Sequence, residues 1–266
     1  MAELRNSSGD RTISASAQLR KRIAGAAEVS VAYTFTDARD RMSADCFNVT
    51  CNLDFTPLDG TLDDRRITTS RFEARHKVTL SAVTSLPLRF QFGVFYNGYS
   101  GQPYTYLVSG DANADEINAF DGNDIVYVPK NAADITLSDP SQYARLDSTI
   151  QKDPCLRSQR GRIMQRNSCQ NYWITLLNAR LSKPFTLRRG QSLELIADLF
   201  NVTNLIDSHW GIRRAGSLSG DVSLLKLSGY DPVHQRGIYD VLPVDRAARD
   251  NDATRWRVQL GARVAF

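Results

Sequence analysis

The chain of 266 residues is poor in the residue types that carry out chemistry, with four cysteines and three histidines. His76, His209 and His234 are scattered, and neither cysteine pair has the two-residue gap of a metal knuckle, which disfavours a cysteine-ligated metal. No Gly-x-Ser-x-Gly turn exposes a nucleophile. The carboxylate pairs Asp63/Asp64 and Asp37/Asp40 sit among arginines in loop-like sequence, where surface ion pairing is the better account than acid–base work. An enzyme is therefore not expected. Lys and Arg total 33 against 29 Asp and Glu, without a long block of either sign, so nucleic acid is not an expected partner. No run approaches the ~18 apolar residues of a membrane helix, and the mean hydropathy is -0.35. Met1 to Arg22 also lacks the apolar core of an export signal, so Met1 is expected to be an internal start with the signal upstream.

What the chain does have is alternation. From Trp256 to the end, Trp256, Val258, Leu260, Ala262, Val264 and Phe266 are apolar, and Arg257, Gln259, Gly261, Arg263 and Ala265 between them are polar or small. Such a strand has one oily and one wet face, and a terminal Phe266 is how outer-membrane barrels close. Trp256, Val258, Leu260, Val264 and Phe266 thus form a candidate assembly signal for the barrel assembly machinery. Six earlier segments share the period: Ile13–Leu19, Ala27–Phe35, Ala74–Ala82, Phe90–Tyr96, Trp173–Leu181 and Leu193–Leu199.

The connections alternate as well. Short links fall near Ala24, near Leu86 and between Lys183 and Gln191; long ones run from about Asp40 to Thr68, Gln102 to Asn171 and Ile206 to Ala253. A soluble sandwich has no reason to make every second loop long, whereas a membrane barrel has short periplasmic turns and long surface loops. The expected fold class is all-β: an antiparallel transmembrane barrel segment of about seven strands, with the C-terminus periplasmic and outer-membrane lipid against the oily face. Cys46 and Cys51 lie in the first long loop, and Cys155 and Cys169 in the second. Local bridges there would require an oxidising compartment.

In order along the chain, the stretches Val31-Ala32-Tyr33-Thr34-Phe35-Thr36, Phe72 to His76, Ser100-Gly101-Gln102-Pro103-Tyr104, Asp111 to Asp115, Asn123 to Pro129, Gln159-Arg160-Gly161, Arg166-Asn167-Ser168 and Ala197 to Asn204 resemble the C-terminal wall of a TonB-dependent outer-membrane receptor of the Oar-like group. The resemblance implies a 22-strand type barrel around a plug. It also implies a TonB complex that engages an N-terminal part not found in these residues and energises uptake or export of an unidentified ligand. On this reading residues 1–266 are a partial barrel domain without plug or signal peptide.

Among candidate sites, Asp111, Asn113, Asp115 and Asn118, with Asp121 and Asp124 beyond, resemble the front of a calcium loop, since oxygens at every second position converge on a hard cation. The turn position holds Glu116 instead of Gly, and the twelfth holds Gly122 instead of Glu, so a solvated acidic loop is the competing account and no resident cofactor is otherwise expected. Tyr33, Phe35, Tyr96, Tyr99, Tyr104, Tyr172, Trp173 and Trp256 fit interfacial girdles. Arg20, Arg75, Arg89, Arg180, Arg257 and Arg263, with Glu28, Glu73, Glu194 and Asp198, fall on the inward parity, where pairing across strands is favoured over ligand contact. Two other classes remain open: a secreted disulfide-containing β-sandwich binding glycan or protein, and a calcium-stabilised surface adhesin.

Overall fold

The computed structural model describes residues 8–23, 27–44, 46–117, 123–187, 190–214, 220–245 and 254–266. Its main sheet contains seven long strands: β1 (Arg11–Ile23), β2 (Ala27–Asp40), β3 (His76–Ser85), β4 (Gln91–Tyr99), β5 (Ile174–Thr186), β6 (Ser192–Phe200) and β7 (Arg257–Ala265). They pair in chain order, every neighbour antiparallel, with Thr68–Thr69 added beside the far end of β2. The sheet is open, with β1 and β7 at its two edges. The 13 residues of β1 reach ~40 Å when extended, and even the strands of nine residues meet the ~9–11 that a tilted strand needs to cross hydrocarbon.

Register aligns the apolar parities of all seven strands. One row runs Leu19, Val31, Leu80, Tyr96, Leu177, and another Leu181, Ala197, Leu260. A slip of one residue anywhere would turn a strand's oily side inward. This aligned face is uncovered: Leu19 is 73% exposed and Leu260 79%. It is the outside of a barrel segment, and among the described residues no second sheet packs on it.

The hydrophobic core lies elsewhere. The second and third long loops fold together into a cap around a five-stranded sheet ordered Thr136–Leu137, Arg236–Val241, Val222–Asp231, Tyr106–Ser109, Asp124–Ile125, with two of its four pairings parallel. Leu146 and Ile150 of the helix Tyr143–Lys152 and Leu156 of the helix Pro154–Arg157 are fully buried with Val126, Val128, Leu224 and Leu225. Leu146 and Ile150, four residues apart, share one face of the first helix, which turns that face into the core.

Sequence and structure differ in several places. The stretch from Ile206 to Ala253, read as one loop, contains the hairpin Val222–Asp231 and Arg236–Val241. Its register shifts between Leu227 and Gly229 and between Ser223 and Leu225, which breaks the period-two signal. The third strand starts at His76 and not near Glu73, because the buried Glu73 carboxylate accepts from the Ala38 amide (2.9 Å) and from Arg75 (2.8 Å) outside the ladder. Strand β5 runs on to Thr186 through Lys183 and Pro184, which shortens that link. Pro184 is tolerated because the ladder to β4 has already ended at Ser182. The tight hairpin expected around Ala24 and Gly25 lies outside the described residues.

Candidate functional site

On the inner face of the wall, polar side chains opposed by register join across strands. Ser14 pairs with Thr36 (3.1 Å), Ser16 with Thr34 (2.9 Å), and Gln18 donates to Ser30 (2.8 Å). Glu28 accepts from both Arg20 (2.6 Å) and Arg22 (2.9 Å); Arg180 forms a two-pronged contact with Asp198 at 2.6 and 2.9 Å; Arg263 pairs with Glu194. Of the remaining arginines expected inward, Arg75 pairs with Glu73, Arg257 stacks over Phe200 at 6.0 Å, and Arg89 sits in the short turn between β3 and β4. The inner face is not uniformly polar. Val83 and Phe95, 54% and 47% exposed, border a recess of about 300 Å³ floored by Gly93 and walled by Arg180, Asp198 and Phe200.

At the opposite end from the short turns, a buried network fastens the cap to the wall. Arg166, 1% exposed, donates to the Asp40 carboxylate (2.7 Å) and the Ser43 hydroxyl (2.9 Å), while its own amide donates to Asp59 (3.0 Å). Asp221 accepts from Arg71 (2.9 Å) and from the Thr105 amide (2.7 Å); burial raises its carboxyl above the ordinary value, and the Arg71 charge works against that. Asp153 caps the helix Pro154–Arg157 and accepts the Tyr106 hydroxyl at 2.6 Å, and Tyr106 is pushed up first by burial and then by that bond. Asn201, in the left-handed conformation at φ 54, ends β6 and ties three segments together. Its side chain donates to Gly211 and Thr254 carbonyls, and its amide donates to Asn178.

Between the first long loop and the cap lies a cleft of about 550 Å³. Leu58, Val108, Ile125 and Leu225 supply an apolar floor, with Arg66 and Arg236 among its polar lining. Asp124 borders it and accepts from the Ala112 (2.6 Å) and Asn113 (3.2 Å) amides. Burial, the largest influence, raises its carboxyl, those two bonds oppose the rise, and Asp115 and Asp111 add to it. Apolar floor and convergent polar groups are the features of a site that holds a ligand.

The acidic loop lies beside this cleft. Asp111 accepts from the Asp115 (3.1 Å) and Glu116 (3.0 Å) amides, Asn113 from the Asp115 amide (2.9 Å) and Asp115 from the Ile117 amide (2.9 Å). These bonds close the loop on itself through turns in which side-chain oxygens accept from backbone amides two to five residues on. Asn118 and Asp121 lie outside the described residues, and among those described no group of three or more His, Cys, Asp or Glu side chains is arranged to hold a metal. Cys46 is bonded to Cys51 and Cys155 to Cys169. The second bridge pins the helix Pro154–Arg157 to the short strand Cys169–Gln170.

Trp256 and Phe266 lie exposed at the two ends of β7, with Val258, Leu260 and Val264 between them on the outer face. Trp173 stands just before β5 and packs near Gly98. Tyr33 and Phe35 surround His76 on the outer face, the Tyr33 hydroxyl 2.8 Å from the imidazole. Tyr104 is no girdle residue: it is buried in the cap, edge-on to Tyr106 at 5.4 Å. Sequence reasoning also missed Arg166 and Asp221, single charged residues without a periodic partner. Arg166 entered only as part of the stretch Arg166-Asn167-Ser168, with no role attached to its charge.

A family model described as an outer membrane beta barrel domain matches residues 3–207. The match spans β1 to β6 and the first two long loops. No curated protein and no solved structure matches the chain significantly.

Proposed function

The chain belongs to the outer membrane β-barrel domain family, and we propose on that premise that it is the C-terminal wall of an Oar-like TonB-dependent receptor. In this role it carries no catalysis of its own. The parent takes up or exports a bulky ligand with energy delivered by TonB, the short turns and the C-terminus face the periplasm, and the cap faces the surroundings. The outer membrane is where such a domain resides. The observation that carries the reading is the division of labour between faces. Seven strands keep one oily side in register and bare, while the protein's buried core sits in the loops.

The inner recess between Val83, Phe95 and Phe200 favours a receptor over an open pore, because apolar side chains in a water-filled channel gain nothing, whereas a plug gives them a surface to pack on. The cap cleft, with its apolar floor and two arginines, provides a first contact for ligand above the wall. The sandwich reading would require a second sheet over the bare face, and the cap sheet packs on its own helices instead. Photo-crosslinking in intact envelopes, with the probe in the N-terminal part of the full-length parent, tests the receptor assignment: a TonB adduct is expected. A membrane-integrated protein that never yields one would keep the barrel and discard the receptor.

A further inference from the structure

Near the short-turn ends of the strands, the lipid-facing side carries two cations that no hydrocarbon surface would tolerate at its centre. Lys183 lies on the same parity of β5 as Leu181 and Phe185, opposite Leu195. It stands four residues before Leu187, whose amide closes the hairpin onto Gln191 at 2.8 Å. Its ammonium sits 4.6 Å over the Phe90 ring and 5.2 Å over the Phe185 ring. Lys21 lies on the outer parity of β1, between the exposed Leu19 and Ile23 and opposite Val29. Among the described residues neither lysine has an acidic partner within 4.0 Å.

A charge on the lipid face of a barrel is strongly unfavourable at the midplane and nearly neutral only at an interface, which places both lysines at headgroup depth. A lysine that merely snorkelled would swing its flexible stem toward water. Lys183 is instead held between two rings, whose faces attract the ammonium and leave its remaining N–H groups outward. We propose that Lys183, clasped by Phe90 and Phe185, binds the phosphate of an anionic phospholipid in the leaflet next to the short turns. The inference rests on the reading that lipid covers this face. It commits to a phospholipid because the cations stand at the short-turn end, away from the cap.

Native mass spectrometry of the full chain released from detergent micelles, titrated with phosphatidylglycerol, phosphatidylcholine or lipid A, tests it. Wild type is expected to retain phosphatidylglycerol over phosphatidylcholine. Lys183→Gln should retain it about five-fold less, the effect of one cation at an anionic surface, and Lys183→Arg should restore most of the difference. Phe185→Leu, which keeps the charge and removes one ring, should give an intermediate loss. Equal retention by wild type and Lys183→Gln overturns the proposal, as does preference for lipid A over phosphatidylglycerol. Quenching of Trp256 by brominated lipid separates this from failure of the barrel reading. A quenched protein with no Lys183 effect leaves the barrel intact and the site wrong, whereas an unquenched protein removes the basis for both.

Discussion

Replacing Leu80 by arginine asks directly what lies against the oily face. Leu80 is in the middle of β3, with Val31 and Tyr96 opposite on the two neighbouring strands, so its row is far from both rims. No part of the cap core reaches it, so the change removes little protein packing. If hydrocarbon surrounds the row, an arginine there costs about 2–4 kcal/mol; if water does, the change stays within about 0.5 kcal/mol. Ser81→Arg, one residue on and facing inward between Ser30 and Phe95, is the matched control and should stay within about 0.5 kcal/mol. Ile23→Arg, at the short-turn end of β1, should cost about 0–1 kcal/mol. Reversible urea unfolding of the protein folded into lipid vesicles reads all three, as a shift in midpoint at constant slope. A Leu80→Arg protein as stable as wild type in vesicles would refute the reasoning.

Three further outcomes are expected. Asn201→Ala should destabilise by about 2–4 kcal/mol, combining the buried carbonyls of Gly211 and Thr254 left without their donor with an alanine forced to φ 54; Asn201→Gly should recover about 1 kcal/mol of this in the same unfolding assay. Because burial raises the Asp124 carboxyl, the folded state binds its proton more tightly than the unfolded chain, so this residue's contribution is fully present at pH below the unfolded value and lost as pH rises through the folded one. Asp124→Asn should therefore be more stable than wild type at neutral pH, with the gap closing under acid, as measured by cap unfolding at several pH values; a gap that widened under acid would contradict the sign. Phe266 is 96% exposed, so its deletion should leave folded stability within about 0.5 kcal/mol yet reduce insertion into the outer membrane, measured as the fraction of heat-modifiable protein.

The wall was legible because lipid imposes a single rule on it. Each strand shows apolar residues at every second position, and the rule survives even at Lys21 and Lys183, which leave the parity of Leu19, Ile23, Leu181 and Phe185 intact. Connection lengths then ordered the strands without any tertiary information. The cap was not legible because its core is assembled from single residues far apart in the chain, such as Val126, Leu146, Leu156, Met164 and Leu224. Several of its strands are only two residues long, too short to display a period, and its longest carries two register shifts. The buried ion network was invisible for the same reason. Arg166 reaches Asp40 across 126 positions, and Asp221 meets Arg71 across 150, separations no local pattern encodes. The acidic run Asp111 to Asp115 reads two ways for a physical reason: a spacing that suits a cation equally suits carboxylates that accept from their own loop's amides.

All four cysteines are joined in disulfides, so a single cysteine introduced elsewhere can carry a spin label without competition. Labels placed one at a time from Val258 to Val264, in the protein inserted into bilayers, measure what each side chain of β7 meets. Collisions with dissolved oxygen are predicted to alternate with period two, high at Val258, Leu260, Ala262 and Val264 and low at Gln259, Gly261 and Arg263. Oxygen contact that is uniform along the strand, or highest at Gln259 and Arg263, would mean that lipid does not cover the oily face.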